Sequence, residues 1–217
     1  RRHTRCLSDW SSDVCSSDLK WAIANLNNAN QIISVEADPD TFNTLKLETG
    51  FTKKIIPMNY AVTNSNDETI TFYKCSINTI STTNEEWLAS ENCRFYGNEG
   101  RNYEKIVCTT IKLDEIIEIH GVPSLIKIDV EGGEFECILS LTQKVDCLCF
   151  EWASELKDIA FMCLGHLISI GFTKFYIQKE DSYTFQPKDE DYVSIKEIRK
   201  ELNNTVPKVD WGMIWCK

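Results

Sequence analysis

The chain has 217 residues, 42% of them hydrophobic, with 23 Lys and Arg against 33 Asp and Glu and a formal net charge of −10. That size suits one domain with a substantial core. The charge argues against a nucleic-acid partner held on a broad basic face and leaves a small molecule easier to accommodate. No apolar run is long enough to span a bilayer, and no secretory signal opens the chain.

Residues 1–19, RRHTRCLSDWSSDVCSSDL, lack a clear hydrophobic period and are rich in Ser and Asp. From Ser8 onward they resemble a translated short-read sequencing adapter. They are therefore set apart, as an artefact or a disordered arm, from a single domain over residues 20–217. Residues 20–30 read as the tail of a helix, with Trp21 and Ala24 on its apolar stripe. Residues 31–36, QIISVE, read as a strand ending in Glu36. Asp38 and Pro39 then open a helix that stops at Gly50.

Residues 53–62, KKIIPMNYAV, look like one further strand. A polar turn follows, then TITFYK at residues 69–74, which alternates as a strand does. Residues 76–102 are long, polar and poorly periodic, and read as a lid, a binding loop or a loose surface excursion. A strand at 103–111 and a helix at 113–120 lead to the most informative stretch.

That stretch is SLIKIDVEGGEFE, residues 124–136. An apolar run ends in Asp129, Glu131 and the pair Gly132-Gly133 follow, and helical spacing resumes at Phe135, Ile138 and Leu139. This is a buried strand, a tight turn and a helix, with two carboxylates at the edge where open α/β sheets bind ligands. Acids at a helix start also have a purely structural use. Residues 145–152 give another strand, with Glu151 near its end. After it come a helix at 159–170, strands at 172–178 and 182–185, an amphipathic helix at 192–202 and a last strand at 211–216. The alternation predicts an α/β fold: a doubly wound, mostly parallel sheet.

Ten cysteines are irregularly spaced without a CxxC pair, and three histidines are scattered. This points to buried free thiols in a reducing, cytoplasmic setting rather than to zinc or a disulfide framework.

The string KIDVEGGEFE, together with the strand–Glu36–Ala–Asp–Pro–helix run, resembles the FkbM-type methyltransferases. These are S-adenosylmethionine-dependent enzymes of the class I, Rossmann-like fold. The resemblance implies methyl transfer to a hydroxyl oxygen of a small molecule or sugar. Glu36 would bind the cofactor ribose, as strand-end acids do in Rossmann-type sites. Asn59 and Ala61 would flank the adenine. Asp129 would stand where cofactor and acceptor meet. Glu131 would act as base or orient the acceptor, and Glu151 would be a third acid of the same kind.

Clustered carboxylates could also hold a divalent cation, although no metal is assigned. The family opens with a strand and a glycine-rich turn before the position of Trp21, yet no glycine precedes Gly50. The expected fold therefore lacks its first strand, and the alternative is a non-catalytic Rossmann-like binding module or an inactive fragment.

Overall fold

The structure, a computed structural model, describes the backbone at residues 4–9 and 17–217, and side chains from Lys20 onward except Asn78. The main sheet has seven strands. In chain order they are β1 (Thr4–Asp9), β2 (Gln31–Glu36), β3 (Ile55–Asn59), β7 (Pro123–Asp129), β8 (Leu148–Ala153), β9 (Phe175–Lys179) and β10 (Trp211–Cys216). Across the sheet the order is β3-β2-β1-β7-β8-β10-β9. The pairings β2·β3, β1·β2, β1·β7 and β7·β8 are parallel, and β10 runs antiparallel between β8 and β9. The mostly parallel sheet matches the expected architecture, and the last strand of the chain, β10, is the antiparallel one.

The expected gap at the first strand is corrected. The backbone of Thr4–Asp9 lies between β2 and β7, with Arg5 opposite both Ile32 and Leu125. The physical reason is that a ladder is built from backbone N–H and C=O groups, which any extended hexapeptide other than a Pro-rich one supplies. Two parallel neighbours with open edges both gain by the pairing. The glycine-rich turn expected after this strand would fall at residues 10–16, outside the described residues.

Side-chain alternation in β7 shows how the sheet divides the interior. Ile126 and Ile128 face the larger core cluster with Phe150, Ile214 and the apolar faces of four helices. These are α4 (Leu113–His120), α5 (Glu134–Leu139), α6 (Lys157–Ser169) and α7 (Ile195–Asn203). Leu125 faces the other way, with Trp21 and Ala22 of α1 (Ser17–Asn25), Cys149 and Trp215. Each such apolar side chain contributes about 1.5–3 kcal/mol by leaving water. Helix α2 (Pro39–Glu48) begins directly after β2, with Asp38 as its cap and Pro39 in its first turn, as the Asp-Pro pair predicts.

Three further expectations are revised. Residues 53–62 form two strands, because Tyr60 breaks the run: β3 stays in the main sheet and β4 (Ala61–Val62) pairs with β6 (Tyr103–Ile111) in a second sheet completed by β5 (Thr69–Cys75). Residues 182–185 form a turn rather than a strand; Tyr183 and Phe185 fold their rings onto the second cluster instead of pairing.

Residues 76–102 are not a loose excursion. They hold α3 (Glu85–Ala89) between two 3-10 turns at Asn78–Ile80 and Glu99–Arg101, and they build a core of their own from Tyr73, Cys75, Ile80, Trp87, Leu88 and Cys93. The eight cysteines whose side chains are described, from Cys75 onward, are free and buried, as expected. Cys6 and Cys15 lie outside the described side chains.

Candidate active site at the carboxyl edge of the sheet

The strand β7 delivers Asp129 to the sheet edge, in register with the backbone of Asp9. The chain then turns through Val130, Glu131 and Gly132. Glu131 has φ +46° and Gly132 φ +89°. A left-handed non-glycine residue stores strain, which persists only where its surroundings hold it. Here the supports are visible. The Glu134 carboxylate oxygen Oε1 accepts from the backbone N–H of Val130 at 3.2 Å and of Gly132 at 3.1 Å. From the other side Thr82 Oγ1 donates to Glu131 O at 2.6 Å, and Asn84 Nδ2 donates to Gly132 O at 3.1 Å. A Cβ at Gly132 would press on the Leu156 side chain at 3.2 Å, but it is the positive φ that calls for glycine there.

The turn aims Glu131 at Asp129 and at Glu151 from the neighbouring strand β8. One oxygen from each of the three lies within 4.8 Å of the others, and all three residues are buried. Sequence reasoning named these three acids, and they lie together here.

It missed the cations. Lys127, 1% exposed in the middle of β7, places its Nζ 2.8 Å from Asp129 and 3.4 Å from Asp181. A lysine two residues before an acid in an apolar strand was the available signal, because residues i and i+2 share a face. Arg94, supplied by residues 76–102, lies 3.1 Å from Glu151, 3.6 Å from Glu131 and, through Nε, 3.2 Å from Glu155. The rings of Phe95 and Trp211 flank its guanidinium at 5.3 and 5.8 Å. Arg94 thus brings a positive charge against Glu131 and Glu151.

The electrostatics follow from burial. Loss of water pushes the Glu131 carboxyl well above the usual range; Arg94 pulls it down and Asp129 adds to the rise. Burial, then Glu131 and Asp129, raise Glu151, with Arg94 again opposing. Burial lifts Glu134 to about 7, against the lowering pull of its backbone hydrogen bonds. For Arg94, burial disfavours the charge, but Glu151, Glu131 and Glu155 outweigh it and keep the guanidinium ionised.

A second group sits at the end of β2. Glu36 is buried, and its Oε1 accepts from Asp38 N–H at 2.8 Å. Asn59 donates from Nδ2 to Glu36 O at 2.8 Å and to Ala37 O at 3.0 Å. Both its amide hydrogens are spent on the turn, so its remaining polar atom, Oδ1, offers only an acceptor. Cys108 Sγ also donates to Ala37 O, at 3.3 Å. Ala61 is buried in the main core within β4.

A sequence model of the Methyltransferase FkbM domain matches residues 13–205. The chain belongs to the FkbM methyltransferase family. No curated protein matches it. Among solved structures, it resembles the crystal structure of methyltransferase FkbM from Methylobacillus flagellatus KT, at 11% identity and a TM-score of 0.50, covering 100% of this chain and 45% of that one. This FkbM chain thus spans less than half the length of that relative. A SAM-dependent O-methyltransferase from Thermotoga maritima aligns at 9% identity and a TM-score of 0.43, over 100% of this chain and 59% of that one.

Proposed function

We propose that this FkbM chain performs S-adenosylmethionine-dependent methyl transfer to a hydroxyl oxygen of a small molecule or sugar. The observation that carries the reading is the convergence of Asp129 and Glu131, from the stretch that resembles the family, with Glu151 of β8 at the carboxyl edge of the sheet. The donor set suits the cofactor. Glu36 is a buried strand-end acid, the residue type that holds a ribose diol in Rossmann-type sites, and Asn59 stands at the end of the adjacent strand. Asn59 and Ala61 are assigned beside the adenine, and Asp129 beside the methyl-bearing end. When bound, S-adenosylmethionine supplies an activated methyl group on a sulfonium.

What the chain itself supplies is orientation and a proton acceptor. A hydroxyl becomes a nucleophile as it loses its proton, and a carboxylate within hydrogen-bond reach can take that proton. Glu131, whose carboxyl burial holds well above the usual range, is assigned that role, with Glu151 orienting the acceptor. Rigid placement of the reacting oxygen contributes at least as much, and the doubly anchored turn provides it. Among the described residues no helix is long and apolar enough to cross a membrane. The buried free thiols fit a reducing compartment, and the cytoplasm is the assigned location.

The test is binding followed by transfer. Calorimetry should show S-adenosylhomocysteine binding and no displacement by NAD. Labelled methyl should pass from S-adenosylmethionine to one member of a panel of sugars and hydroxylated small molecules, and Glu131→Gln should slow that transfer with little change in cofactor affinity. A second reading, a non-catalytic binding module, rests on the absence of glycine before Gly50. Binding without transfer to any hydroxyl would favour it, and NAD binding in place of S-adenosylhomocysteine would remove the methyl-transfer reading.

A further inference from the structure

Three buried carboxylates, Glu131, Glu151 and Glu155, share one guanidinium. The side chain of Glu155 is 2% exposed, and among the described residues neither of its oxygens has a hydrogen-bond partner. The only positive charge within 4 Å of any of them among the described residues is Arg94. Lys127 is engaged by Asp129 and Asp181, and Arg101 turns away, donating to Leu88 O and lying over Tyr96. Arg94 comes from the segment that also clamps the signature turn through Thr82 and Asn84. That segment therefore delivers both the shape of the turn and the countercharge of its acids.

We infer that Arg94 is a positioning residue: it orients Glu131 and Glu151 and favours the carboxylate over the neutral acid at the position that faces the acceptor hydroxyl. A planar fork with five N–H donors can serve several carboxylates at once, which a lysine cannot do. The inference rests on the methyl-transfer reading for its consequence, though not for its geometry.

The groups that face the two acids are Asp129 and Glu134 from β7 and α5, Glu155 after β8, Arg94, and the Cys75 thiol of β5 on Glu131. Of these only Arg94 favours the ionised form. Removing it leaves burial and like charge unopposed, and both push the acids toward protonation.

The experiment is infrared titration of the protonated-carboxyl band in the full chain without cofactor. Wild type, Arg94→Gln and Glu155→Gln are compared, and the band is assigned by its loss in Glu131→Gln and Glu151→Gln. Arg94→Gln should raise the midpoint by at least one pH unit. Glu155→Gln, which removes a competing charge, should lower it. Arg94→Lys should restore part of the shift. A folded Arg94→Gln with the wild-type midpoint would overturn the inference, because a merely structural arginine would lower the melting temperature and leave the titration alone. If Arg94→Gln does not fold, an unmoved midpoint in Glu155→Gln overturns it. Failure of wild type to bind S-adenosylhomocysteine would remove the methyl-transfer reading but leave the titration standing, so the two failures are distinguishable.

Discussion

Glu134 carries more of the site than its place in the sequence suggests. It touches none of the three convergent acids through a hydrogen bond, yet one of its oxygens receives two buried backbone N–H groups from the turn. Glu134→Ala should cost about 1–3 kcal/mol for each orphaned donor that water cannot reach, read as a fall in chemical-denaturation stability. Glu134→Gln keeps the accepting oxygen and removes the charge.

The sign of the pH effect follows. The folded-state pKa, about 7, lies above the usual 4.5, so the native state binds the extra proton. The stabilisation from this group is complete below about pH 4.5 and is lost as pH rises to about 7. Wild type should therefore lose stability across that window, and Glu134→Gln should lose less; identical slopes would contradict the assignment. Asp129, Glu131 and Glu151 were legible because strand-end acids stand out against apolar runs. Arg94 was not, because its partners come from two distant strands and no local spacing encodes them.

Residues 76–102 show the same limit for an element. Helix α3 has five residues, Glu85–Ala89, too few to be stable alone or to show a period. It forms because Asn84 caps it and Trp87 is buried beneath Gly132 and beside Phe95. Its order is a tertiary effect, invisible to a reading of local pattern. Trp87→Ala should cost about 3–5 kcal/mol as a large-to-small core change. It should also open residues 76–102 to limited proteolysis and, by releasing Thr82 and Asn84, loosen the signature turn. Unchanged proteolysis in Trp87→Ala would mean the segment is held by something else. By contrast β2, α2 and β7 were legible almost to the residue, because alternation, the Asp-Pro start and the terminal acids coincide there.

At the scale of the molecule, one sheet edge gathers buried acids: Glu36 from β2, Asp129 from β7 and Glu151 from β8, with Lys127 against Asp129 and Arg94 against Glu151. Strand β1 links the two halves of that edge. Deleting residues 1–9 should expose the ladders of β2 and β7, at about 1 kcal/mol for each backbone hydrogen bond lost, and should broaden or abolish cooperative thermal unfolding. A sharp transition in the shortened chain would show that β1 does not hold the sheet together. The carboxyl ends of β2 and β7 flank β1, so the cofactor assignment depends on Glu36 as well as on the signature turn. The measurement that tests this most directly is calorimetric titration of S-adenosylhomocysteine into the intact 217-residue chain and into Glu36→Ala. Saturable binding in wild type that weakens at least tenfold in Glu36→Ala, about 1.4 kcal/mol, is the predicted result. No binding, or equal affinity in the two proteins, would contradict the account.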